Sequence, residues 1–173
     1  LLSYDNFSTL FIVSIMSNSA ILVIQGRYIK SEFIMIILTP ALPHENCYVI
    51  AEAGLNHNGS LEIAKKLVDV AAIAGADAVK FQKRTIEKLA VASVLNSKDD
   101  RFPEFGKTYR EIREHLEFTF DQYSELKFYA ESKGLDFMVT AFDTVAVDFL
   151  EELGLSSYKL ASHSLTNLEL LNY

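Results

Sequence analysis

A single cysteine, Cys47, in 173 residues excludes an internal disulfide, and its place in an apolar strand-like run gives it a core role and points to a reducing cytoplasm. Cations are in the minority. Sixteen Lys and Arg against 23 Asp and Glu leave a formal charge of −7. Neither nucleic acid nor an anionic membrane surface is therefore an expected partner, and any phosphate must be held by local cations. Long apolar runs are missing as well: the blocks at residues 10–16, 20–24 and 33–38 fall short of the roughly 20 residues of a membrane span. No basic start and small-residue cleavage site mark a secretion signal. What is present is an ordinary globular composition, 50% apolar and 23% charged, at a length that supports one sizeable core. The chain opens on Leu and stops at Tyr173 just as a helix begins, so a fragment of a longer protein is expected.

Residues 1–43 are read as an N-terminal extension, with a hairpin of two short strands over residues 21–38 and Pro40 and Pro43 closing it. Residues 44–173 are read as the main unit. It is organised around Cys47-Tyr48-Val49-Ile50-Ala51-Glu52-Ala53-Gly54-Leu55-Asn56-His57-Asn58-Gly59, a buried strand that delivers Glu52 to its end and breaks into a polar loop between two glycines. The period then changes. Leu61, Ala64, Leu67, Val68 and Ala71 recur at helical spacing behind the N-cap Ser60, with Gly75 past the end. A second strand is expected over 77–82. A capping box at Thr119 and Gln122 opens a second helix that stops at Gly134, and a third strand spans 136–141. Asp143 caps the next helix, a fourth strand runs over 157–161, and residues 166–169 read as another capping box. This repeated β-α unit demands parallel crossovers, as in a doubly wound sheet or a (β/α)8 barrel. No Gly-x-Gly-x-x-Gly follows the first strand, and polar residues close all four strands. Both features favour the barrel, truncated after about four β-α units, whose catalytic groups gather on the carboxyl rim of the strands.

The connection over 83–118 is too long for an ordinary strand-to-helix link. It is expected to hold short helices near 85–92 and 107–116. Lys107, Arg110 and Arg113 make a basic stripe on the second, read as a solvated face. Side chains two apart on a strand share a face, so Lys80 and Gln82 point inward together with Glu52, Thr140 and Lys159. Two cations beside a carboxylate suit an anionic substrate, with Thr140 and Ser162 as hydroxyl donors to its oxygens. The competing reading is a set of internal Lys–Glu salt bridges across a barrel mouth.

Ala51-Glu52-Ala53-Gly54-Leu55-Asn56-His57-Asn58-Gly59, Val79-Lys80-Phe81-Gln82 and Tyr158-Lys159-Leu160-Ala161-Ser162 resemble, in order and spacing, the N-acetylneuraminate (sialic acid) synthase family, including the legionaminic and pseudaminic acid synthases. Gly106-Lys107-Thr108-Tyr109 and His115-Leu116-Glu117-Phe118 look like that family's long second loop. The resemblance implies a cytoplasmic (β/α)8 enzyme, a homodimer at full length, that condenses phosphoenolpyruvate with an N-acetylated hexosamine to give a nine-carbon sugar acid and phosphate. It implies a divalent metal, Mn2+ or Mg2+, with ligands outside this chain. Lys80, Thr140, Lys159 and Ser162 match phosphoenolpyruvate-binding positions, Glu52 and Gln82 match positions that contact the acceptor, and Asn56 joins the substrate-binding candidates. The chain departs from the family after the fourth strand, where an expected acidic residue is replaced by Ser164 and an imidazole, His163, stands one place earlier. Glu52 and His163 are the catalytic candidates, His163 as a general base or else as a residue buried between helix and sheet. No histidine is assigned to a metal: His57 is expected to fix the first loop and His115 to be a partly buried loop residue. Two other outcomes stay open, a Schiff-base aldolase with Lys159 as nucleophile and an inactive, truncated barrel.

Overall fold

The computed structural model describes Ile12–Met16 and residues 48–173; the hairpin expected over 21–38, Cys47 and His44 lie outside the described residues. Five strands form one sheet in the order β1-β2-β3-β4-β5. β1 (Ile12–Met16), not foreseen as a strand, runs antiparallel to β2 (Tyr48–Gly54). From β2 onward the sheet is parallel: β3 (Ala78–Lys83) pairs with β2, β4 (Asp136–Ala141) with β3, and β5 (Lys159–Leu160) with β4.

Helix α1 (Leu61–Ile73) starts where expected, with Ser60 accepting a hydrogen bond from the Ile63 amide, and buries Ala64, Leu67, Val68 and Ala71. Helix α5 (Phe120–Ser132) opens on a complete capping box, Thr119 accepting from Gln122 N and Gln122 from Thr119 N, and buries Tyr123, Leu126 and Ala130. Helix α6 (Thr144–Glu152) buries Ala146 and Leu150. These faces cover one side of the sheet, where Ala51, Ala53, Val79, Phe81, Phe137, Val139 and Ala141 are also buried. Burial of each large side chain contributes about 1.5–3 kcal/mol, which makes this layer the main source of stability. The opposite sheet face carries Glu52, Lys80, Gln82, Thr140 and Lys159. Two-residue alternation thus sends apolar residues to the helices and polar ones to a common inner face.

The long connection between β3 and α5 holds α2 (Ile86–Leu89), α3 (Ala92–Leu95) and α4 (Tyr109–Leu116). Helix α4 begins after Lys107, so that lysine lies outside it, and the stripe is not simply solvated. Arg110 pairs with Glu87 at 2.8 Å and Glu114 at 3.5 Å, and the Arg113 guanidinium lies 4.9 Å from the Tyr109 ring centroid.

Three further details differ from the sequence expectation. The fourth predicted strand shrinks to Lys159–Leu160, which pairs with Thr140 and Ala141; Ala161 falls past the end of β4, and residues 157 and 158 form no ladder with it. Helix α7 (Leu168–Asn172) is capped by Asn167, whose side chain accepts from Leu170 N, so the expected capping box at Thr166 does not form. His115 is an exposed residue of the last turn of α4 rather than a partly buried loop residue; its ring stacks on Phe105 at 4.7 Å.

Candidate active site

The sheet register sets the inner face. Glu52 sits opposite Lys80, Gln82 opposite Thr140, and Thr140 opposite Lys159. Lys80 is 4% exposed. Its ammonium pairs with Glu52 Oε2 and donates to Thr140 Oγ1 at 3.2 Å. Burial pushes the Lys80 ammonium below the usual lysine range, with Glu52 opposing that shift and the neighbouring Lys159 charge adding to it. The salt-bridge reading is thus realised for Lys80 and Glu52. It does not exhaust them, since Glu52 Oε1 is buried with no hydrogen-bond partner among the described residues. Lys159 is half-buried beside Thr140.

Gly54, at φ +54, closes this corner. A Cβ there would lie 3.1 Å from Gln82 Nε2 and 3.3 Å from Glu52 Oε1, so the carboxylate and the amide both pack on a backbone that only glycine leaves bare. The next loop is fixed from within. His57 is 1% exposed, its Nδ1 accepts from Gly59 N at 3.1 Å, and its ring stacks on Phe118 at 4.1 Å. Gly59, at φ +76, lies against the backbone carbonyl oxygen of His115, and His115 Nε2 meets Asn58 O at 3.2 Å. Asn56, half-buried, donates its backbone N–H to Ala53 O at 3.0 Å within the same loop.

Beyond β5, a 3-10 turn spans Ser162–Ser164. Ser162 and His163 are exposed and Ser164 is buried, so within this chain His163 does not sit between helix and sheet. The His163 ring lies 5.4 Å from that of Phe142.

Several residues that tie the rim together had escaped the sequence reading. The Arg84 guanidinium lies 4.0 Å from the Phe142 ring centroid and donates to Gln82 Oε1. Asp143, foreseen only as a cap, accepts from Ala146 N and Thr85 N at 2.8 Å each and from Thr85 Oγ1 at 2.7 Å, which joins the loop after β3 to the loop after β4. Glu117 holds Lys83 Nζ at 3.0 Å and Arg84 N at 3.3 Å, and buried Tyr123 donates to Gln82 O at 2.6 Å. The hint in the sequence was that charged and aromatic residues crowd the strand ends; the contacts that join one strand end to another span tens of residues and carry no periodic signal.

At the opposite, amino end of the strands lies a cavity of about 160 Å³ lined by Tyr48, Asp136, Lys127 and Glu131 among others. Two pairs of its polar groups meet, Tyr48 with Asp136 and Lys127 with Glu131 at 3.0 Å, and it shares no residue with the inner rim.

The model of the NeuB family matches residues 67–173, well over half of the sequence. The chain belongs to the NeuB family. Among curated relatives, human N-acetylneuraminate-9-phosphate synthase is 41% identical over 125 residues, 72% of this chain and 35% of the relative. The N,N'-diacetyllegionaminic acid synthase of Legionella pneumophila is 40% identical over 129 residues, 73% of this chain and 36% of the relative. The N-acetylneuraminic acid synthetase structure from Leptospira borgpetersenii, solved with citrate, superposes with a TM-score of 0.55 at 32% identity, covering 70% of this chain and 38% of that one. The chain therefore spans about a third of the length of the relatives it matches, and its four parallel strands are half of a (β/α)8 barrel. Among the described residues no three His, Cys, Asp or Glu side chains come together as a metal site. The described residues thus offer no such cluster for a divalent metal, and no chemical step is assigned to one.

Proposed function

We propose that this chain supplies one side of an active site that condenses phosphoenolpyruvate with the open-chain aldehyde of an N-acetylated hexosamine, yielding a nine-carbon sialic-acid-type sugar acid and inorganic phosphate. The observation that carries this reading is the register that aligns Glu52, Lys80, Gln82, Thr140 and Lys159 on the polar sheet face of a NeuB-family chain. Lys80 and Lys159 are the cations to which phosphoenolpyruvate's phosphate and carboxylate would bind in an otherwise acidic chain, with Thr140 and Ser162 donating from their hydroxyls. Carbon 3 of phosphoenolpyruvate attacks the aldehyde carbon and forms the new C–C bond. The aldehyde oxygen takes up a proton as positive charge develops at carbon 2; water adds there and loses one proton, and the remaining hydroxyl proton is lost as the carbon 2–oxygen bond to phosphate breaks, leaving the 2-keto acid and inorganic phosphate. A buried carboxylate with one uncommitted oxygen, Glu52 Oε1, stands where it can orient the acceptor and stabilise that positive charge. Asn56 in the adjoining loop and Gln82 contribute polar contacts to the acceptor, and His163 takes the proton of the attacking water. A full-length cytoplasmic homodimer that binds a divalent metal through ligands outside this chain completes the reading.

The test grafts the matched segment into the human relative in place of its own and measures phosphate release with N-acetylated hexosamines, phosphorylated and not. Turnover is expected, and Lys80→Met or Lys159→Met should weaken phosphoenolpyruvate binding about 100-fold, on the scale of a lost charge-assisted contact. Unchanged affinity in either variant would refute the assignment. A borohydride-stable mass adduct on Lys159 formed with a keto acid would instead establish the Schiff-base aldolase.

A further inference from the structure

We propose that Arg84 is a positioning residue that fixes which end of the Gln82 amide faces the Glu52 carboxylate on the inner rim. The proposal deepens the reading above, in which Gln82 meets the acceptor sugar. Arg84 follows β3 directly, and its guanidinium lies 4.0 Å from the Phe142 ring centroid at the end of β4, so the plane of the fork is set by a ring from a different strand. From that platform Nη2 donates to Gln82 Oε1. A guanidinium has donors only, so the amide can meet it through oxygen alone. The amide nitrogen is thereby turned the other way, toward the point above Gly54 from which Gln82 Nε2 lies 3.1 Å and Glu52 Oε1 3.3 Å. Gln82 thus presents N–H donors beside the one carboxylate oxygen of the site that has no partner among the described residues.

Without Arg84 the two amide orientations differ little, and Gln82 would offer oxygen and nitrogen to the acceptor in turn. A charge-assisted hydrogen bond to one orientation biases that choice by about tenfold or more. Lysine cannot replace the fork. It carries a point charge without a plane to lie on Phe142 while also reaching Gln82. The Arg84 backbone is held separately, its N–H by Glu117 at 3.3 Å, so the side chain can be changed without releasing the loop.

The experiment is side-chain amide NMR of the whole 173-residue chain with no substrate added, which separates this proposal from the synthase reading: loss of turnover in the grafted enzyme would sink that reading and leave these signals unmoved. In the wild type the two Gln82 Nε2 protons should give distinct signals with cross-peaks to the Gly54 α-protons. In Arg84→Met and in Arg84→Lys the amide should also turn its oxygen toward Gly54 by rotation about the Cγ–Cδ bond, so the cross-peaks should weaken by about half or more, while backbone signals of β2 and β4 stay in place. Gln82 signals like the wild type's in either folded variant would overturn the proposal. Should Arg84→Met fail to fold, Arg84→Lys, which keeps charge and length, decides alone. Change in the Gln82 signals only together with backbone signals throughout β3 and β4 would make Arg84 a structural residue and refute the positioning role.

Discussion

Protonation of His57 should open the loop that follows β2. The ring is buried against Phe118 at 4.1 Å and Phe81 at 6.0 Å, with Nδ1 accepting from Gly59 N at 3.1 Å, which places the ring proton on Nε2. Nε2 has no partner among the described residues. A second proton must go to Nδ1, which breaks the Gly59 contact and puts a charge among phenyl rings. Burial accordingly pushes the imidazole pKa down to about 4. The unfolded chain takes up this proton near pH 6.5, so between pH 4 and 6.5 the unfolded state holds more protons than the folded one. Stability therefore climbs with pH across that window and is flat above it. About 2.5 pH units at roughly 1.4 kcal/mol each amount to about 3 kcal/mol lost between pH 7 and pH 4. Urea unfolding from pH 4.3 to 7.5, compared with His57→Gln, isolates the effect: the variant is less stable at pH 7 but lacks this part of the slope. Asp99, whose carboxyl Arg101 holds down at about 2, loses its contribution only as pH falls below the ordinary carboxylate range, outside the window. Parallel pH curves for wild type and variant would refute the argument.

Gly59→Ala should cost about 2 kcal/mol or more by thermal or urea unfolding, because it adds a left-handed backbone penalty to a collision with the His115 carbonyl; wild-type stability would disprove the tight packing of that loop. Asp143→Ala removes the acceptor of three hydrogen bonds and should cost about 2–4 kcal/mol, with faster hydrogen exchange at the Thr85 and Ala146 amides; unchanged exchange at Thr85 would show that Asp143 is only a cap. His163→Ala in the grafted enzyme should lower kcat roughly 100-fold with little change in Tm, as its exposure implies; full turnover would remove His163 from the chemistry.

The strands and helices were legible because burial imposes a period. Alternation along β3 separates Val79 and Phe81 from Lys80 and Gln82, and the 3.6-residue spacing of Leu67, Val68 and Ala71 marks the covered face of α1. Caps were legible where one side chain serves its own helix, as at Ser60 and Thr119, and misjudged at α7, where Asn167 competes successfully with Thr166. Strand β5 reads long in sequence because propensity does not record which residues find a partner in the neighbouring strand. Arg84, Phe142 and Glu117 stayed hidden for a related reason: their contacts join segments far apart in the chain, and nothing local distinguishes an arginine on a phenyl ring from one in solvent. The Lys80–Glu52 pair could not be assigned from sequence to site or salt bridge because the two readings describe one arrangement. Burial holds the Lys80 charge at a cost that Glu52 offsets, and an anionic substrate would compete with Glu52 for the same ammonium. Glu52→Gln should then leave a buried, weakly compensated lysine, lowering stability while removing that competition. A tighter hold on phosphoenolpyruvate in a less stable protein is the outcome expected if Glu52 also serves the site, and a stability loss with weaker binding would assign Glu52 to structure alone.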